Sequence, residues 1–181
     1  MTGTPSLHTP IKRCSGVLPS AYSHHVPSKE HALLRRFVGE WEARLAREGE
    51  SSERAGTVTC RLVDGGYWLV LELRGRYEGR PYEGHGLLGY DPKKKKYVGV
   101  WAGSAAPGLS AVEGDADPSG RTLTMWIDIP HPRTGQVVKE RMVHEFIGPG
   151  RRTLTFYGHD ESGEERVTAV MTYTLRPGRT F

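Results

Sequence analysis

The chain is poor in cysteine, has no long apolar run and carries none of the short motifs that announce common chemistries. Its two cysteines in 181 residues, Cys14 and Cys60, cannot build a disulfide framework, so a reducing, cytoplasmic setting is expected. No stretch of about 18 or more apolar residues occurs, which gives no helical membrane span, and the first residues contain no apolar core of a secretory signal. The chain has no Cys-x-x-Cys, His-x-His or His-Glu-x-x-His, so no metal site is expected. A Gly-x-Ser-x-Gly nucleophile elbow is missing too. Gly84-x-Gly86-x-x-Gly89 has the spacing of a nucleotide-binding loop, yet no helix pattern follows, so its glycines are read as relieving crowding within a strand.

A strong excess of one charge is also lacking. The 25 basic and 21 acidic residues leave a net +4 spread along the chain, which predicts neither a nucleic-acid nor a membrane partner. The dense run Lys93-Lys94-Lys95-Lys96 follows Asp91-Pro92 and reads as a charged hairpin loop.

What the chain does have is strand cadence. Residues 1–28, with Pro5, Pro10, Pro19 and Pro27, show no period and are expected to form a disordered leader. Residues 29–176 are expected to form one domain and 177–181 a tail. Ser28 is a plausible N-cap for a helix over 29–38, where Leu33, Leu34, Phe37 and Val38 recur at helical spacing. From Trp41 onward, short apolar-alternating segments and turn signals repeat roughly every 8 to 12 residues. Strands are expected at 41–49, 54–63, 67–76, 82–90, 96–103, 108–116, 121–129, 136–147, 152–159 and 165–176. Turn chemistry separates them, as in Asp64-Gly65-Gly66, Asp117-Pro118-Ser119-Gly120 and Gly148-Pro149-Gly150. The expectation is an all-β chain, a single antiparallel up-and-down barrel of about ten strands after a short N-terminal helix, with a lumen wide enough for a ligand.

Particular residues add a resemblance. Phe37-Val38-Gly39-Glu40-Trp41 follows the helical stretch and opens the first strand. Behind it come Gly65-Gly66, Gly86-x-x-Gly89-Tyr90-Asp91, Tyr97-x-x-x-Trp101, Glu113-Gly114-Asp115 and Tyr173-x-x-Arg176. In that order, over 31–176, the chain resembles a bacterial domain-of-unknown-function family of lipocalin-like, calycin-type barrels. The resemblance implies a helix-capped barrel with a cavity and transfers no catalytic residues. It also implies a basic residue from the last strand packed over the tryptophan of the first, for which Arg176 and Trp41 are the candidates.

Alternation and aromatic content select the candidate lumen: Tyr67, Trp68, His85, Trp101, Trp126, Met142 and His144. His144 shares a face with Met142 and Phe146, so its imidazole is the candidate for orienting a polar ligand head. The leading expectation is a small apolar or amphipathic ligand in the lumen. One alternative is an enzyme using the lumen for haem chemistry through His144 or for acid–base chemistry through Glu72, Glu83, Glu113 or Asp128. Another is a module that forms a homodimer through its exterior around a filled core. The cofactor and the catalytic residues stay open.

Overall fold

A computed structural model describes residues 26–130, 135–160 and 162–178. Within them lie α1 (His31–Leu34), a 3-10 turn (Arg35–Phe37) and ten strands: β1 (Gly39–Arg47), β2 (Glu53–Val63), β3 (Trp68–Tyr77), β4 (Arg80–Asp91), β5 (Lys96–Gly103), β6 (Ser110–Ala116), β7 (Thr122–Pro130), β8 (Val137–Gly148), β9 (Arg151–His159) and β10 (Glu165–Leu175). Each strand pairs antiparallel with the next in sequence, and β10 returns to β1, closing the barrel. All ten expected strands are present. Residues 1–25 of the expected leader and 179–181 of the expected tail lie outside the described residues.

The helix is shorter than the 29–38 expected. Ser28 does not cap it; its hydroxyl and amide lie 2.9 and 3.1 Å from His31 Nδ1 instead. The chain then tightens into the 3-10 turn, and Trp41 Nε1 donates to the Phe37 carbonyl at 2.7 Å. Gly39 makes this entry possible. Its φ is +133°, and a Cβ there would lie 2.6 Å from Leu175 Cδ1, so only glycine fits both backbone and neighbour. Tyr97 Oη donates to the Glu30 carbonyl at 2.8 Å and ties the helix to the opposite wall.

Strand parity divides the wall into two faces. Trp41, Val58, Leu73 and Gly84 follow one another across β1 to β4 on the inward side, and Met125, Met142 and Phe156 do so across β7 to β9. One bulge breaks the alternation in β10. A bulge between Val167 and Ala169 turns Val167 outward, where it is 42% exposed, while Ala169, Met171 and Tyr173 remain inward.

The helix seals one end. Leu33, Leu34 and Phe37 are buried with Trp41, Leu69, Leu88, Tyr97, Leu123 and Phe146, and Phe37 meets Phe146 edge-on at 4.9 Å. A fully buried large apolar side chain contributes about 1.5–3 kcal/mol by removal from water, and Phe37 adds ring contacts on two sides. Phe37→Ala is expected to lower the unfolding free energy by about 3–5 kcal/mol, measured by urea denaturation. A loss under about 1 kcal/mol would show that the cap is not part of the cooperative core.

Candidate functional site

The two halves of the barrel interior differ. At the capped end most inward side chains are buried, Leu175 at the rim being 39% exposed, and Leu45, Ala55 and Leu73 carry the buried set farther along β1 to β3. Toward the other end, the inward-facing Leu71, Trp101, Val112, Ile127, Phe156, Ala169 and Met171 are only half-buried. These residues point away from the exterior and remain partly accessible. Trp101 lies flat against the strand beside it: a Cβ on Gly84 would be 2.3 Å from its Cζ2, and one on Gly86 2.9 Å from its Cε3. The indole therefore lines the wall instead of crossing the lumen, and its Nε1 donates to Tyr82 Oη at 3.2 Å. Tyr82 in turn covers Gly103, where a Cβ would be 2.1 Å from the hydroxyl. These glycines relieve crowding, as the strand context suggested.

Beneath the apolar lumen, at the capped end, lies a buried polar cluster. Arg152 enters from β9 at 1% exposure. Its guanidinium stands 3.6 Å from the Tyr173 ring centroid, 5.0 Å from Trp41 and 5.1 Å from Phe37. Each such contact stabilises the cation by about 0.5–2 kcal/mol, against several kcal/mol for taking a charge out of water. None of its three guanidinium nitrogens has a well-aligned hydrogen-bond partner. Cys60, also buried, has its thiol pushed up to about 11 by burial, with the Arg152 charge opposing. Burial likewise raises the Tyr173 phenol, again against Arg152. His144 Nδ1 is buried and unpartnered, and its ring meets Phe37 edge-on at 5.1 Å. Burial first, and the Arg152 cation second, lower its pKa to about 3, so the imidazole is neutral at physiological pH.

Of the residues selected from sequence, Trp101, Met142 and His144 are inward: Trp101 half-buried, Met142 buried beside Phe156, and His144 one inward step nearer the cap. Tyr67 precedes β3 and packs edge-on against His31 at 5.3 Å, beside the helix. Three placements are corrected. Trp68, His85 and Trp126 have outward parity: Trp68 covers Gly89 on the outer wall, His85 is exposed between Glu72 and Ala102, and Trp126 is 37% exposed between Glu113 and Arg141. The four carboxylates also face out, Glu72 toward Arg61, Glu83 toward Arg74, Glu113 toward Lys94 and Asp128 toward Lys139. Among the described residues, Glu140, across the ladder from Ile127, and Glu53, across from Leu45, have inward parity. The cation over Trp41 is Arg152, not Arg176. Leu175, partner of Trp41, takes the inward position, which sends Arg176 outward to Glu40.

Sequence inspection passed over Arg152, Tyr82 and Glu140. Arg152 alternates with Leu154 and Phe156 along one face, but as half of the basic pair Arg151-Arg152 beside a turn it carries no signal of burial. Among the described residues no group of three or more His, Cys, Asp or Glu could hold a metal ion, and no helix is long and apolar enough to cross a membrane.

The depressed His144 sets a pH dependence. Its folded pKa of about 3 lies below an unfolded value of about 6.5, so the unfolded chain binds the proton more readily. The contribution is whole above about pH 6.5 and is lost as pH falls toward about 3, at about 1.4 kcal/mol per pH unit. His144→Leu is expected to remove this slope. The stability of wild type relative to the variant should fall with acid across that window in paired urea titrations. Parallel curves would show that His144 protonates as easily folded as unfolded.

A solved structure of a redesigned β-barrel is similar at 18% identity over 81% of this chain and 94% of its own, with a TM-score of 0.39. No curated protein matches. Residues 26–175, which contain the whole barrel, match the family described as "Protein of unknown function (DUF1579)", and the chain belongs to that family.

Proposed function

We propose that this barrel, lipocalin-like in having one end closed by a helix, binds a small apolar or amphipathic molecule in its lumen. The observation that carries the reading is the solvent-reachable apolar interior: inward Leu71, Trp101, Val112, Ile127, Phe156 and Met171 are half-buried inside a closed wall. Water against such a surface is displaced favourably by an alkyl or aromatic group, at about 25 cal/mol per Å² buried. The flattened Trp101 and Tyr82 offer the broad faces that suit such a ligand. The sealed end makes the pocket blind, so a ligand enters and leaves by one mouth. The scarcity of cysteine and the burial of the free Cys60 thiol support a reducing, cytoplasmic site of action.

The test uses a neutral probe, 10-bromodecanol, whose bromine quenches nearby tryptophan emission. Binding is expected to raise the melting temperature and to quench fluorescence. Trp101→Phe should remove most of the quenching, while Trp126→Phe, on the outer wall, should leave it. Quenching that survives Trp101→Phe, or a probe that neither quenches nor stabilises, would sink the proposal.

A further inference from the structure

Arg152 is overdressed for a purely structural part. Its contacts with Tyr173, Trp41 and Phe37 use the faces of the rings, which attract the cation but accept no in-plane hydrogen bond. A guanidinium has five N–H donors in a rigid fork; here all three nitrogens are buried with no well-aligned partner, beside only the uncharged Cys60 thiol and Tyr173 hydroxyl. Buried donors are normally satisfied. The other buried atom nearby without a partner, His144 Nδ1, belongs to a neutral ring and adds no counter-charge. Cys60 and Tyr173 keep their protons, so neither supplies an anion. The cluster therefore holds one uncompensated positive charge whose donors fit a planar, two-oxygen anion.

The position matches the lumen. Along β9 and β10 the inward ladder pairs run from Leu154 with Met171 to Arg152 with Tyr173, one inward step of about 7 Å. Met171 is half-buried on the lumen side, so the solvent-reachable wall ends one step above the guanidinium. What intervenes is soft. Met125 and Met142 are ladder partners on β7 and β8, and Met171 faces Leu154 one inward step nearer the cap. Methionine is unbranched and repacks readily around an inserted group.

We propose that the lumen ligand is an amphipathic anion, in the first instance a monocarboxylate, whose head is received by Arg152 at the sealed end while its apolar tail lies against Trp101, Ile127 and Phe156. This rests on the lumen-binding reading above and adds the chemistry of the head. The carboxylate supplies the charged, in-plane acceptors that Arg152 lacks and neutralises its charge. Neutral His144 offers a further polar contact without repelling either form of the head.

The experiment compares decanoate with decanol, equal in chain length and different in head, by calorimetric titration of the full chain at pH 7.4. Decanoate is expected to bind about tenfold tighter or more, as a charge-assisted hydrogen bond allows. In Arg152→Met the preference should vanish while decanol binding persists. Equal affinities in wild type, or a preference for decanol, would overturn the carboxylate assignment and leave lumen binding standing. A preference for decanoate that persists in Arg152→Met would place anion recognition elsewhere and overturn it too. If neither molecule binds, the lumen reading itself fails and takes this inference with it. Should Arg152→Met not fold, Arg152→Lys serves. A lysine keeps the charge but loses the fork, so the preference should shrink; an unchanged ratio counts against Arg152.

Discussion

Closure of the ladder between β1 and β10 is the constraint on which the other features depend. Without it both strands would expose rows of unpaired backbone groups, and the wall would have no fixed inside. With it, Leu175 and Tyr173 stand opposite Trp41 and Ala43, and parity propagates from that seam through every neighbouring strand. The same register brings Arg152, across from Tyr173, to the indole of Trp41. The floor of the barrel is thus a product of closure, because its cation and its aromatic faces come from strands at opposite ends of the chain.

The cap then breaks the symmetry between the two mouths. Trp41 is hydrogen-bonded to the Phe37 carbonyl and Tyr97 to the Glu30 carbonyl, so the helix is held from both sides of the wall. Because α1 has only four residues, its stability comes from this packing and not from its own hydrogen bonds. The interior consequently grades from a sealed floor to a wetted mouth. Function assigned to the lumen belongs to the open half, and function assigned to the floor must explain a buried charge.

Much of this was legible in the sequence, for identifiable reasons. Turn chemistry and two-residue alternation located ten strands, and Phe37 to Trp41 located the cap, because both signals are local. Placement of aromatics was less legible. Trp68 and Trp126 attracted attention by residue type, yet their neighbours Leu69 and Met125 hold the inward positions, and parity outweighs type. Val167 shared the parity of Ala169 in sequence and lost it to a bulge, which no alternation count detects. Arg152 stayed hidden between Arg151 and Thr153, where a basic pair beside a turn reads as a solvated rim. Only the pairing of Phe146 with Arg152 and of Arg152 with Tyr173 turns it into the centre of the floor.

A barrel floor built for stability alone would put a branched aliphatic side chain where Arg152 stands. Replacement of a buried charge by an apolar group of similar size is often neutral or stabilising, since the desolvation cost disappears. Three aromatic faces recover part of that cost and leave the hydrogen-bonding edge of the guanidinium unanswered. Burial meanwhile keeps His144, Cys60 and Tyr173 uncharged, so no neighbour in this cluster competes for the cation. A positive charge held in place, shielded from water and short of acceptors is an electrostatic arrangement already organised for an anion. The proposed ligand need supply only two oxygens and a tail that the half-buried wall above can cover.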